Sequence, residues 1–172
     1  MTIKTDEYPT YFAPYVQLAL SERSLYDEML SSFEEAIDYL QSISEEQKDY
    51  AYAEGKWTVG QVFQHLIDVE LVMAHRAFRI SRRDKINLAG FDHDAWAQNA
   101  DVNHKSLAQM IEELKTARSV TLMHYKHLDE ETLSVKGSVS ENAVTVRGLG
   151  YIIIGHLKHH VNLFKENYFA NA

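Results

Sequence analysis

Four stretches of the chain repeat apolar residues at steps of three and four, which is the period of an amphipathic α-helix. They predict helices over residues 21–43, 58–81, 106–128 and 145–168. The second and third stretches open on a Thr or Ser followed three residues later by Gln, the pattern of a capping box. Four helices of this length predict an all-α protein, a four-helix bundle forming a single domain over residues 1–172.

Two connections between these helices are longer than simple turns. The helical period is lost between residues 82 and 104, and a connection of this length is usually functional or contains a short helix of its own. Residues 133–144 alternate weakly and predict either a small hairpin or a loop. Gly150 and Gly155 lie inside the last helix, where each costs about 1 kcal/mol relative to Ala. We expect a neighbouring helix or a ligand to approach closely there.

Charge and composition exclude several classes of function. The chain has 17 Lys and Arg against 25 Asp and Glu, a formal net charge of −8 that argues against a nucleic-acid partner. The absence of cysteine excludes disulfides, thiolate metal sites and a cysteine nucleophile. No stretch approaches the roughly 18 apolar residues of a membrane span, and the N-terminus lacks the apolar segment of a secretory signal. We therefore expect a cytoplasmic protein without a membrane partner.

Nine histidines stand out in this composition, and two of them share a helix face. His156 and His160 are four residues apart, so they differ by about 40° around the axis and can chelate one ion. His65 lies in the otherwise apolar stripe of the second helix and offers a third ligand from across the bundle. Three neutral imidazoles suit zinc, and also nickel, iron, cobalt or manganese, and leave a coordination position open.

The alternative interpretation is a bundle without a metal. His156 and His160 would then face solvent, and His65 would be a hydrogen-bonded core residue. Neither the H-E-x-x-H motif of zinc proteases nor the repeated Glu-x-x-His motif of di-iron bundles is present. Geometry separates the two interpretations, because one ion cannot join the three imidazoles if His65 lies more than about 5 Å from both of the others.

Several motifs are similar to those of a known family. They are Glu7-Tyr-Pro-Thr-Tyr11, Gly55-Lys-Trp-Thr-Val-Gly-Gln-Val-Phe-Gln-His-Leu-Ile-Asp-Val-Glu70, Gly90-Phe-Asp-His-Asp94, Val146-Arg147 and Gly155-His-Leu-Lys-His-His160. With them the chain resembles, over nearly its whole length, the DinB-like superfamily, which includes YfiT-type metal-dependent hydrolases and the bacillithiol and mycothiol S-transferases. The resemblance implies an up-down four-helix bundle with a long connection after the second helix, a homodimer, and metal ligands at His65, His156 and His160.

Two aspartates in the long connection are candidate catalytic residues. Asp92 and Asp94 flank His93, and one of them could act as general base or hold a water at the metal. Acids recur in this stretch of the resembling sequences. The alternative is a helix cap or two solvated acids.

Arg76 heads a basic stripe that continues through Arg79 to Arg83 at the end of the second helix. Such cations either stabilise the helix C-terminus or bind an anionic group, such as the carboxylates of the thiol cofactors of some relatives. Arg147 is a further candidate for binding an anion, and Trp96 is a packing residue that could line a pocket.

The remaining polar candidates have weaker arguments. Glu70 lies about 140° from His65 around the helix and is a poor partner for the same ion, whereas Asp68, at about 60°, could support a ligand through a hydrogen bond. Trp57 is expected to pack. The other histidines are expected to be structural or solvent-exposed: His75, His93, His104, His124, His127 and His159.

The leading hypothesis is a metal-dependent enzyme that acts on a small molecule. The ion could activate a water for hydrolysis, or bind a low-molecular-weight thiol as thiolate for S-transfer. Because the chain has no cysteine, that thiol would come from a cofactor or substrate. The alternative is a non-catalytic helical protein of the stress response that binds a metal or ligand with the same histidines, its site closed by a fourth protein ligand.

Overall fold

The computed structural model describes residues 3–170, so the first two and last two residues of the predicted domain lie outside the described part. The α-helices are α1 (Ala13–Ala19), α2 (Leu25–Gln41), α3 (Val59–Ser81), α4 (His93–Asn99), α5 (Leu107–Tyr125), α6 (Glu130–Leu133) and α7 (Val146–Leu163). The strands are β1 (Asn87–Leu88), β2 (Lys136–Val139) and β3 (Asn142–Thr145). Short 3₁₀ turns span Thr10–Phe12 and Glu45–Gln47, and a π-helical turn, Phe164–Tyr168, follows α7.

The four long helices confirm the predicted bundle. α3 packs against α5 and α7, and α2 packs against α5 and α7. At the start of α3 the predicted capping box is present: the Gln61 backbone N–H donates to the Thr58 hydroxyl, and the Thr58 N–H donates to the Gln61 side chain. α5 begins with the equivalent box after Ser106. Among the helices of residues 3–170, none has both the length and the apolar character needed to cross a membrane.

The apolar core has two parts, which meet beside the predicted histidine site. On α7 the first part ends at Ile154 and the second begins at Leu157, so His156 lies at the junction. On α3 the junction falls between Ile67 and Val69. Polar groups placed at such a junction are removed from solvent by the apolar clusters on either side.

A small three-stranded sheet adds to the predicted all-α architecture. β2 and β3 form the hairpin that was one of the two alternatives for residues 133–144, with Ser140 and Glu141 at positive φ in its tight turn. β1, from the long connection after α3, pairs in parallel with β2. The same connection contains α4, in agreement with the expectation of a short helix within it.

Gly155 lets the N-terminal segment approach α7 closely. A Cβ atom at this position would lie 1.8 Å from the Tyr15 carbonyl oxygen, so α1 can cross α7 here only because there is no side chain. At Gly150 a Cβ would lie 3.0 Å from both Leu25 and Tyr125. The predicted approach of a neighbouring helix is therefore confirmed, and it places Tyr15 beside His156.

Candidate metal centre

The structure brings together the three histidines selected from the sequence. Nε2 of His65, on α3, lies 2.9 Å from Nε2 of His156, on α7. With His160, one ring nitrogen from each residue lies within 4.8 Å of the others. All three side chains are buried, with 6–7% of each residue exposed. The distance condition for a shared ion is met, and neither His156 nor His160 faces solvent.

Burial keeps these imidazoles neutral. It lowers the pKa of His65 to about 4, with further lowering from His93 and His159. Burial also lowers the pKa of His156 and of His160 well below the usual value, and mutual repulsion among the imidazoles adds to it. Neutral imidazole is the form that binds metal ions.

The hydrogen bonding of the cluster is incomplete. Nδ1 of His160 is buried and has no hydrogen-bond partner among the described residues. The close pair of nitrogens on His65 and His156 can share only one proton between them. Buried polar atoms without partners are rare and call for an explanation. A divalent cation accepting the lone pairs of three imidazoles fits this donor set.

A cavity of about 570 Å³ opens beside the cluster, a size that accommodates a small molecule. His65 and His156 form part of its wall, and aromatic residues from the N-terminal segment and the long connection form another part. These aromatic residues are Tyr11, Phe12, Tyr15 and Phe91. The site is therefore reachable by a substrate, as an open coordination position requires.

Neither aspartate of the long connection reaches this cavity. The Asp92 carboxylate accepts from the backbone N–H groups of Asp94 and Ala95 at 3.1 and 3.0 Å and so caps α4. Asp94 is exposed, with its carboxylate 3.8 Å from Nε2 of His93. The N-terminus of α4 leaves orphan amides that need an acceptor, which accounts for Asp92. The proposed role as general base or water anchor is not supported by these positions, whereas the cap was the stated alternative.

The candidate substrate-binding residues separate into one inside the cavity and two outside it. Arg76 is buried and lines the cavity. Arg147 does not line it, because Glu7 and Glu130 hold its guanidinium at the start of α7. Trp96 packs on Phe91, with ring centroids 4.7 Å apart, and lines a different groove.

The two acidic residues near His65 on α3 have partners elsewhere. Asp68 accepts from the Gln64 side chain at 2.9 Å and lines the same outer groove as Trp96, so it does not support a ligand in this structure. Burial raises the pKa of Asp68. Glu70 forms a buried salt bridge with Arg118, which agrees with its exclusion as a ligand.

Sequence reasoning missed several residues of the cavity wall. His93 and His159 both line it. His93 is exposed, as expected, whereas His159 is half-buried. His159 packs edge-on against Tyr15, with ring centroids 5.3 Å apart. The angle of His159 around α7 excludes it as a ligand of the same ion as His160. A cavity wall covers a wider arc of the helix than an ion site does, so the same angle does not exclude His159 from the cavity. The aromatic residues of the N-terminal segment do not recur with a helical period, so the sequence does not predict which of them face the cavity.

Comparisons with known proteins identify a family and a similar solved structure. The model of the DinB superfamily matches residues 28–164, a range that contains all three histidines. The chain belongs to the DinB superfamily. Among solved structures it is similar to YfiT from Bacillus subtilis, described as a probable metal-dependent hydrolase with an unusual four-helix bundle topology. The TM-score is 0.70 at 16% identity, covering 96% of this chain and 90% of YfiT.

At this level of identity the likeness to YfiT establishes the fold of this DinB superfamily member and not its reaction. No curated protein matches the chain.

Proposed function

We propose that this DinB superfamily member is a metal-dependent enzyme in which His65, His156 and His160 bind one divalent transition metal. Zinc is the ion best suited to three imidazoles, and nickel, iron, cobalt and manganese are also compatible. The observation that carries the proposal is a group of three buried imidazoles, one ring nitrogen from each lying within 4.8 Å of the others, beside a cavity of about 570 Å³.

Two chemistries are compatible with such a site. A bound divalent ion would supply Lewis acidity, favouring a deprotonated water for hydrolysis or a deprotonated small-molecule thiol for S-transfer. YfiT, described as a probable metal-dependent hydrolase, supports the first. The resemblance to the bacillithiol and mycothiol S-transferases supports the second, and the thiol must then come from a cofactor or substrate, since the chain has no cysteine.

The residues of this chain have separable tasks in either reaction. The three histidines hold the ion, and Gly155 allows Tyr15 to close one side of the site. The aromatic walls exclude water from an apolar substrate. Arg76 is the candidate substrate-binding residue that lies within the cavity. Arg147, Trp96, Asp92 and Asp94 have no part in the mechanism proposed here.

The alternative, a non-catalytic metal- or ligand-binding protein of the stress response, uses the same three histidines. It requires a site closed by a fourth protein ligand. Within residues 3–170, the group of possible ligands contains only the three histidines, and His65 and His156 border the cavity. These two observations favour the enzyme.

The homodimer and the cytoplasmic location stay predictions. In support of a dimer, large apolar side chains lie exposed on the outer faces of α3 and α5: Leu71, Phe78, Val120 and Met123. Sedimentation analysis of the wild type beside a Phe78→Asp variant measures this directly. A dimer that uses this face should become monomeric in the variant.

The test of the enzyme proposal compares zinc-loaded with EDTA-treated protein. One assay follows ester and amide hydrolysis, and a second follows conjugation of a bimane electrophile to a panel of small-molecule thiols. We expect turnover in one assay, lost after EDTA treatment and in His156→Ala. His75→Ala, which changes an exposed histidine of α3, is the matched control and should retain it. No difference between zinc-loaded and EDTA-treated wild type in both assays would support the non-catalytic alternative.

A further inference from the structure

Arg76 is a buried cation that has no acidic partner in the described part of the chain. Only 5% of the residue is exposed, and one guanidinium nitrogen donates to the Ala89 carbonyl at 2.7 Å. Another nitrogen contacts the Met73 sulfur at 3.5 Å, and the Phe91 ring lies 5.5 Å away. None of the salt bridges within residues 3–170 includes Arg76. A guanidinium has five N–H donors, so three remain for another group.

Arg76 lines the same cavity as His65 and His156. Arg76 follows His65 by 11 residues on α3, which places both on one helix face, about 20° apart and with Cα atoms about 16 Å apart. Val69 and Met73 line the cavity between them. The cavity therefore runs along α3 from the imidazoles at one end to the guanidinium at the other.

The charge within the cavity is unbalanced. Arg76 is the only Arg, Lys, Asp or Glu among the described residues that line it. The four histidines of the lining are His65, His93, His156 and His159, and an imidazole is either neutral or positive, so none of them can supply the opposite charge. A buried cation without a counter-charge is costly unless a ligand supplies one.

We propose that Arg76 binds the carboxylate of a substrate whose apolar body lies against Phe12, Tyr15 and Phe91 and whose reactive group lies at His65 and His156. Only the placement of the reactive group rests on the proposed function. A single guanidinium matches a singly charged, planar carboxylate, which it can bind with two parallel hydrogen bonds. The substrate class is therefore an aryl- or alkyl-carboxylic acid derivative.

The experiment measures binding by calorimetry to the full-length, EDTA-treated protein, so that the carboxylate gains no affinity from a metal. The probes are phenylhexanoate and its uncharged primary amide, phenylhexanamide. We expect wild type to bind the carboxylate about ten- to a hundredfold more tightly than the amide, the usual range for hydrogen bonds to charged groups. In Arg76→Met, which preserves much of the side-chain volume, this preference should disappear while the affinity for the amide stays unchanged.

Arg79→Met is the matched control. Arg79 lies on the same helix and is ion-paired with Asp84, outside the cavity wall, so this variant should behave like wild type. If Arg76→Met does not fold, Arg76→Lys is the substitute variant. It keeps the positive charge but lacks the planar guanidinium that donates two parallel hydrogen bonds, so we expect it to retain part of the preference for the carboxylate. Equal affinities for the two probes in wild type, no binding of either, or a full preference in Arg76→Met would each overturn the proposal.

Two further measurements distinguish this proposal from a phosphate-binding site and from the proposed metal-dependent enzyme. Phenylhexyl phosphate is the third probe, and tighter binding of this dianion than of the carboxylate would overturn the assignment to a carboxylate. Binding of zinc, nickel, iron, cobalt and manganese is measured separately on wild type and Arg76→Met. A retained carboxylate preference in a protein that binds none of these ions would refute the metal-dependent enzyme and leave the carboxylate site standing.

Discussion

Helix α3 contributes one residue to each of two buried polar clusters: His65 to the histidine cluster and, five residues later, Glu70 to a cluster with Arg118 and Thr121. The two clusters differ in how many of their charges and hydrogen-bonding groups have partners within the protein. At Glu70 the carboxylate accepts from Nε and Nη2 of Arg118 at 3.0 and 2.7 Å, and from the Thr121 hydroxyl at 2.5 Å. Opposite charges and hydrogen bonds are matched within the protein. At His65 the partners are two more imidazoles, which supply no opposite charge and leave Nδ1 of His160 without a hydrogen-bond partner within residues 3–170.

The difference indicates what each cluster is for. A closed cluster contributes to the specificity of the fold and needs nothing further. An incomplete cluster beside a cavity is a binding site, because a ligand can supply what the protein lacks. The three buried arginines follow the same division. Arg118 is paired with Glu70, and Arg147 is paired with Glu7 and Glu130. Arg76 lines the cavity and has no acidic partner within residues 3–170.

The largest expected effect comes from breaking the closed cluster. Arg118→Leu leaves the Glu70 carboxylate buried and uncompensated, so we expect the free energy of unfolding to fall by about 3–5 kcal/mol. His160→Leu in the metal-free protein should cost much less, because Nδ1 of His160 is buried and has no hydrogen-bond partner among the described residues. Urea unfolding of EDTA-treated protein measures both. Equal losses in the two variants would show that the clusters do not differ as described.

Zinc should stabilise the protein through the incomplete cluster only. At free zinc a thousandfold above its dissociation constant, binding to the folded state raises the free energy of unfolding by about 4 kcal/mol. His156→Ala should lose this gain, while Thr121→Val, in the closed cluster, should keep it. Thermal unfolding with and without zinc is the measurement. A gain that survives in His156→Ala would place the ion elsewhere.

The metal-free protein should lose stability as the pH falls from about 6.5 towards 4. Burial lowers the pKa of His65 from 6.5 to about 4 in the folded state, so the unfolded state binds more protons in this window. Stability is therefore fully present above the unfolded pKa and declines below it, by up to about 1.4 kcal/mol per pH unit for each imidazole.

His65→Leu removes this contribution together with the repulsion that His65 exerts on His156 and His160, so the pH dependence of these two imidazoles weakens as well. Urea unfolding at a series of pH values should give a shallower decline for the variant than for wild type. Identical slopes would mean that His65 is not held neutral by burial.

The smallest effect is expected at the edge of the closed cluster. Thr121→Val removes one hydrogen bond to Glu70 but leaves both bonds from Arg118, so we expect a loss of about 0.5–1.5 kcal/mol. Chemical unfolding measures it. A loss as large as that of Arg118→Leu would show that the hydroxyl, and not the ion pair, satisfies the carboxylate.

Much of the fold and the core of the site were predictable because local patterns determine them. The apolar period and the capping boxes located the four long helices. The spacing of His156 and His160, together with His65 in an apolar stripe, selected the three residues that the structure brings together. Each of these signals is contained within one helix, so no knowledge of the tertiary structure was needed to read it.

The rest depends on contacts between distant parts of the chain. β1 has two residues and pairs with β2 about fifty positions later, which no local pattern indicates. Arg147 looked available for an anion because its partner Glu7 lies 140 residues earlier. Asp92 illustrates a different problem, since an aspartate before a short helix has the same sequence signature whether it caps the helix or serves a site.

The most direct test of the central claim is elemental analysis of protein purified without a metal-affinity tag, beside the His156→Ala/His160→Ala double variant. We expect about one equivalent of a single transition metal in the wild type and none in the variant. No metal in either protein, with no uptake by wild type when zinc is added, would contradict the claim that the three imidazoles form a metal site.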